Sequence, residues 1–173
     1  MLELIQKIEQ WAEDRNIIKG SKPIDQAMKL FSEFGELADN VGKGRDCRDD
    51  IGDVFVVLTI LMRQQGRTIY DYIDRPVRFN GENIKFEVIE LADCLSNLVM
   101  YLGLEKSFYS FGYSRSVAIL KSIAIMSHAT LEECVQIAYD DISERQGILW
   151  NGVFEKSTDA KYNEILAELG KAQ

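Results

Sequence analysis

Apolar residues recur at spacings of three and four along most of the chain, and only Pro23 and Pro76 supply proline breaks. That periodicity predicts a mostly helical molecule. A first helix is predicted over about 2–15, with Leu4, Ile8 and Trp11 or Ala12 on one face. A connector follows at 17–23, punctuated by Gly20, Ser21 and Pro23. A second helix is predicted over about 24–41, stopping near Gly42 and Gly44, and a third over about 47–65, stopping at Gly66. Asp46, Asp49 and Asp50 gather at the start of the third, where the helix dipole favours acids.

A shorter stretch is predicted at about 68–75, then a loop at 75–83 with Pro76 and an Asn80-Gly81 turn. A fourth helix is predicted over about 84–102, and the aromatic-rich segment 103–114 reads as irregular. Two more helices are predicted over about 115–127 and 130–145, the second opened by Thr130 and Glu133 as a capping box. Asn151-Gly152 between apolar residues of 148–154 predicts a hairpin. A short helix closes the pattern at about 159–169. The expected fold is therefore an all-α helical bundle in one domain, 1–173, with a small C-terminal hairpin. One internal echo stands out: Glu33–Asp39 reads EFGELAD and Glu87–Asp93 reads EVIELAD. It reads either as a coincidence between two amphipathic helices or as a degenerate repeat.

Composition narrows the function. A chain of 173 residues can bury roughly 70% of its unfolded surface, so it needs no metal or disulfide simply to fold. The 28 acids exceed the 20 bases, for a net charge of −8, which argues against a general nucleic-acid or anionic-membrane binder. The apolar run Val54–Met62 is too short to span a bilayer, and the opening MLELIQKIEQWAEDR has no signal-peptide core. Cys47, Cys94 and Cys134 form no CxxC pair and His128 is the one histidine, which argues against a zinc site. A cytoplasmic, reducing compartment is the expectation.

The candidate chemistry lies on the second and third helices. Leu30, Phe34, Leu37, Ala38 and Val41 form the apolar face of the second, and Gln26, Lys29, Glu33, Glu36 and Asn40 run along one edge of it. A single ExxE pair of this kind is usually a solvated flank. The third helix changes that reading, because 54–62 is apolar nearly all round and Asp53 falls on the wheel between Val57 and Ile60. An ionised carboxylate among apolar neighbours is costly unless something pairs with it. The short connector makes the two helices antiparallel neighbours and brings Glu33, Glu36, Asp50 and Asp53 together. Oxygen ligands of this type suit Mg²⁺, or Mn²⁺, rather than zinc. The expected chemistry is hydrolysis of a phosphate ester or anhydride by activated water. A ferritin-like di-iron site is set aside, because it needs Glu-x-x-His on two helices and His128 lies in no such pair.

Glu33-Phe34-Gly35-Glu36-Leu37 followed by Asp50-Ile51-Gly52-Asp53-Val54 resembles the ExxE…[ED]xxD signature of the MazG-like all-α nucleoside triphosphate pyrophosphohydrolases, the superfamily that includes dimeric dUTPases. Gln10–Arg15, and Gln26 with Lys29, resemble the N-terminal region of small, phage-type members. Leu131–Cys134, Ala138-Tyr139, Arg145, Gly147 and Asn151–Phe154 are similar to their last helix and tail. The resemblance covers roughly 1–66 and 130–156. It implies that Glu33, Glu36, Asp50 and Asp53 hold Mg²⁺ on a triphosphate, with Glu33 or Glu36 as base, giving a (deoxy)nucleoside monophosphate and pyrophosphate. It also implies a homodimer or homotetramer, while the net charge of −8 leaves the expectation of no nucleic-acid or membrane partner in place. Lys29 and Arg145 become candidate phosphate contacts and Trp11 a candidate neighbour of the base. Trp11 also reads as core packing, and Arg145 as a helix C-terminal charge.

The pattern departs from the family in places. Asp50 stands where glutamate is usual, Ser32 replaces a common extra glutamate, and Asp140 and Gln146 stand where small relatives tend to have Asn and Lys. The segment 67–129 reads as inserted helices or a degenerate repeat, without a second metal site, since Leu104 and Ser107 fall where its acids would be. Glu87, Glu90, Asp93 and Asn97 read as a solvated flank, and Phe108, Tyr109, Phe111 and Tyr113 as packing or interface. Two rivals follow: a catalytically weak or inactive nucleotide- or protein-binding module, and a hydrolase of an alarmone or modified nucleotide.

Overall fold

The computed structural model describes residues 1–77, 83–103 and 110–171. Its elements are α1 (Leu2–Asp14), α2 (Ile17–Gly20), α3 (Pro23–Lys43), α4 (Arg48–Gln64), a 3-10 turn (Ile69–Tyr72), α5 (Ile84–Gly103), α6 (Ser110–Met126), α7 (Leu131–Ser143), β1 (Gly147–Trp150), β2 (Val153–Lys156) and α8 (Tyr162–Lys171). The fold is all-α, with one small antiparallel hairpin. The predicted Asn80-Gly81 turn, Leu104, Ser107, Phe108 and Tyr109 lie outside the described residues. Among the described residues no helix is long and apolar enough to cross a membrane.

Local chemistry explains most boundaries. Pro23 opens α3, where its missing N–H costs nothing, and the Lys22 N–H donates to the Asp25 carboxylate at 3.0 Å. Gly44 closes α3 in the left-handed conformation (φ 66°), the usual role of a glycine at that place. At α7, Thr130 Oγ1 accepts from the Glu133 N–H at 3.2 Å and Glu133 Oε2 accepts from the Thr130 N–H at 2.7 Å, so the capping box is formed. Asn151 (φ 49°) and Gly152 (φ 80°) make the two-residue turn between β1 and β2, as the sequence predicts.

Helix α4 is the central element. Val54 to Met62 are all buried, and its only hydroxyl there, Thr59, donates to the Phe55 carbonyl at 2.9 Å. Against α4 pack α3 and α1, and α7 crosses it at Gly52. A Cβ there would meet the Cys134 carbonyl oxygen at 2.2 Å, so only glycine lets the two backbones touch. The α5–α6 hairpin packs on α3 and α4 and joins the same core, through Leu91, Leu95, Leu98, Val117, Leu120 and Ile123.

Two expectations need correction. The segment 103–114 is not wholly irregular, because α6 begins at Ser110. Tyr113 is fully buried, its hydroxyl accepts from Gln65 Nε2 at 2.6 Å, and Tyr113, Val117 and Leu120 continue one core stripe. The connector 17–23 contains a helical turn, α2. Gly20 in that turn lies against the hairpin: a Cβ there would stand 3.1 Å from the Leu149 carbonyl oxygen.

Candidate functional site

A cavity of about 520 Å³ opens between α3, α4, the end of α7 and the hairpin. One part of its wall is charged: Glu33 and Glu36 from α3, Asp53 from α4, and the bases Lys29 and Arg145. Another is apolar, with Trp11, Ile17, Ile60, Leu149 and Phe154. Ser21 from the end of α2, with Asp25 and Gln26 from the start of α3, supplies further polar groups. Six of the seven residues singled out from the sequence therefore face one space: Glu33, Glu36, Asp53, Lys29, Arg145 and Trp11.

Asp50 is the exception. It is buried at 8% exposure, does not line the cavity, and its Oδ2 accepts from Asn40 Nδ2 at 2.8 Å. Burial and the neighbouring Asp49, Glu36 and Glu33 raise its pKa, while the Asn40 hydrogen bond opposes them. One methylene shorter than glutamate, the side chain ends on α3 beside Asn40.

The acids feel one another strongly. Asp53 is half-buried, and burial first, then the charges of Glu33 and Asp49, push its pKa up to about 7, against the opposing pull of Lys29 and Arg145. Asp49 is also raised, by burial and by Asp141, with Arg145 opposing. Glu33, only 6% exposed, forms an ion pair with Lys29 one turn back on α3. Arg145 pairs with Asp141 and also lines the cavity, so its role as a charge near the end of α7 and its place at the site coincide. Trp11 combines its two readings as well. It packs against the core and lines the cavity, and the Arg15 guanidinium lies 4.9 Å from its ring centroid.

Sequence reasoning put Asp49 only at the helix dipole. The i, i+4 spacing of Asp49 and Asp53 places both on one side of α4 and was the available signal. The apolar wall from the hairpin had none, since Leu149 reaches the site through long-range bonds. Its N–H donates to the Arg15 carbonyl at 2.8 Å and its carbonyl accepts from Asn16 Nδ2 at 3.0 Å.

The flank reading of α5 fails at one residue. Glu87 is only 1% exposed, whereas Glu90 meets Arg115 at 3.5 Å and Asp93 accepts from Asn97 Nδ2 at 3.1 Å.

Carboxylate oxygens gathered at one cavity wall are a donor set suited to a hard divalent cation. Among the described residues no three His, Cys, Asp or Glu side chains already converge closely enough to hold one. Glu33, Glu36 and Asp53 line the shared space from two facing helices, and substrate oxygens and water would have to complete the shell.

Comparison with known proteins gives one relative. The chain is 52% identical over 64 residues to an uncharacterized 18.2 kDa protein in the rep-hol intergenic region of Haemophilus phage HP1 (strain HP1c1). The similarity covers 36% of this chain and 39% of that protein. No family model and no solved structure matches.

Proposed function

We propose that this chain is a Mg²⁺-dependent nucleoside triphosphate pyrophosphohydrolase of the MazG-like kind, converting a (deoxy)nucleoside triphosphate and water to the monophosphate and pyrophosphate. The observation that carries the reading is a single cavity with Glu33, Glu36 and Asp53 beside Lys29 and Arg145, and an aromatic and aliphatic wall reached from the same space. Acids and bases together suit a metal-bound polyphosphate, and the apolar wall suits a flat ring.

Glu33, Glu36 and Asp53 would hold Mg²⁺, which when bound neutralises phosphate charge and acidifies water. Lys29 and Arg145 would take phosphate oxygens, each exchanging its present carboxylate partner. A carboxylate of Glu33 or Glu36 takes the proton of the attacking water. The new bond forms at the α-phosphorus, the bridge to the β-phosphate breaks, and pyrophosphate leaves. Trp11 and Phe154 would keep bulk water from the base. Asp50 lies behind this arrangement and orients α3 against α4 through Asn40. A homodimer or homotetramer belongs to the same proposal.

The test is a panel of canonical dNTPs and NTPs with Mg²⁺, measuring pyrophosphate and orthophosphate separately, with Asp53→Ala as control. Pyrophosphate release that vanishes in Asp53→Ala is the expected result. A folded protein that releases none from any nucleotide overturns it.

A second reading, a binding module without turnover, draws on two contacts. Glu33 is already paired with Lys29, and Asp50 with Asn40. Calorimetry with Mg²⁺ and a nonhydrolysable nucleotide separates the two, since this reading predicts nucleotide binding with weak Mg²⁺ affinity.

A further inference from the structure

Where the connector before α3 meets α3 and α4, the side chains of Ser21, Gln26 and Gln64 meet at one hydroxyl. Ser21 Oγ donates to the Ile17 carbonyl at 2.7 Å. It also lies 3.0 Å from Gln26 Nε2 and 2.9 Å from Gln64 Nε2. A serine hydroxyl has one proton and two lone pairs. Its proton is committed to Ile17, so both amides must approach it with N–H groups. Gln64 Nε2 is fixed further by the Ser21 carbonyl at 3.1 Å.

This arrangement settles which way the Gln26 amide points. Its nitrogen is turned to Ser21, so its oxygen is turned away. Gln26 is only 8% exposed and lines the cavity, and among the described residues no protein donor meets its Oε1. The result is an oriented acceptor in a cavity whose wall also holds Asp25, Lys29, Ile17 and Ile60. An amide oxygen held in one sense at a cavity wall favours a ligand that brings it a donor.

The placement also sets a length. Gln26, Lys29, Glu33 and Glu36 follow one side of α3, so Gln26 stands about 10 Å along the helix from Glu33. A nucleotide lying along that side with its first phosphates at the acids carries its base edge toward Gln26.

We propose that Gln26 is the specificity-determining residue of the cavity. Its Oε1 accepts a hydrogen bond from an N–H on the outer edge of a nucleobase, and Ser21 is the positioning residue that holds the amide in that sense. The substrate class is a nucleotide whose base carries such a donor, an exocyclic amine or a ring N–H. This rests on the nucleotide reading above and adds how the base is read.

The experiment uses the whole chain and binding rather than turnover. Calorimetry with Mg²⁺ compares the α,β-imido forms of dATP, dCTP, dGTP and dTTP with counterparts that have lost the donor. These are the 6-deamino purine, the 4-deamino pyrimidine, N1-methylhypoxanthine (in place of guanine) and N3-methylthymine nucleotides. The wild type is expected to bind its best canonical nucleotide at least about tenfold more tightly than the matching analogue. In Gln26→Leu that preference disappears, because the canonical ligand weakens and the analogue does not. Ser21→Ala keeps Gln26 but frees its amide, and is expected to lose much of the preference too. Folding of each variant is checked by circular dichroism, and a purely structural role would weaken both ligands alike. Equal losses, or an unchanged preference in Gln26→Leu, overturn the assignment while leaving pyrophosphate release untouched. Binding with the expected preference but no cleavage overturns the hydrolase reading and keeps the assignment. Failure to bind any of these nucleotides overturns both.

Discussion

The chain writes nearly the same seven residues twice, EFGELAD on α3 and EVIELAD on α5, and gives them opposite surroundings. In both copies the first glutamate is buried: Glu33 is 6% exposed and Glu87 is 1%. The difference lies in the next helix. After α3, α4 supplies Asp49, Asp50 and Asp53, and burial together with neighbouring acids raises the pKa of all three. After α5, α6 supplies Arg115, which meets Glu90. One helix pair concentrates negative charge at a cavity, and the other answers its acid with a base. An acidic pair on a helix is thus no site by itself, and what the facing helix brings decides.

The largest test of that contrast is catalytic. Asp53→Ala is expected to lower pyrophosphate release at least about a hundredfold, whereas Glu90→Ala leaves it within about twofold. Rates with the best nucleotide, on folded proteins, decide it. Comparable losses in both variants would erase the distinction between the two pairs.

Within the α3–α4 pair, two glycines differ in what they contribute to stability. Gly52 stands where α4 touches α7, so Gly52→Ala forces a Cβ to 2.2 Å from the Cys134 carbonyl oxygen. A cost of about 3 kcal/mol is expected, lowering the melting temperature by roughly 10 °C. Gly35, in the middle of EFGELAD, is exposed, and a Cβ there meets nothing within 4 Å. Gly35→Ala should instead stabilise by up to about 1 kcal/mol. Thermal melting of both variants checks the opposite signs. The glycine between Asp50 and Asp53 serves helix packing, and the glycine of EFGELAD does not.

These glycines also mark what a sequence can reveal. The capping box of Thr130 and Glu133 and the Asn151-Gly152 turn involve neighbours a few residues apart, so their pattern is local and readable. Asp53 was readable because a carboxylate within an apolar run needs an explanation. The bond from Asn40 to Asp50 was not, since antiparallel packing fixes which helices meet and not which rotamer an aspartate adopts. The clamp of Ser21, Gln26 and Gln64 joins a connector to two helices. No periodicity encodes it, although Gln26 was visible on the edge of α3. The start of α6 was obscured because glycine, serines and aromatics at 110–114 weaken a helical pattern that burial of Tyr113 nevertheless enforces.

The third test is pH. Asp53 has its pKa raised from 3.8 to about 7, so between those values the folded chain holds a proton that the unfolded chain has released. Stability from this group is complete below about pH 4 and is lost as pH rises through 7. Allowing for solvent screening of a half-buried group, the loss is on the order of 2 kcal/mol. Asp53→Asn should remove that slope and melt higher than wild type above pH 7. Melting curves from pH 4 to 8 that run parallel in the two proteins would contradict it. Mg²⁺ should raise the wild-type melting temperature above pH 7 and affect Asp53→Asn much less.

The smallest effect is expected at the neutralised pair. Arg115 and Glu90 are both partly exposed and stand 3.5 Å apart. Pairs of this kind gain little, because water screens the attraction and two long side chains lose freedom. A double-mutant cycle of Glu90→Gln and Arg115→Gln should give a coupling of about 0.5 kcal/mol, read from urea unfolding. The corresponding cycle of Lys29→Met and Asp53→Asn on the other pair should couple more strongly. Lys29 lowers the pKa of Asp53, so removing it costs more while Asp53 can ionise. If both cycles gave the same coupling at pH 8, the facing helix would not distinguish the two motifs, and the acids on α4 would be an ordinary charged surface.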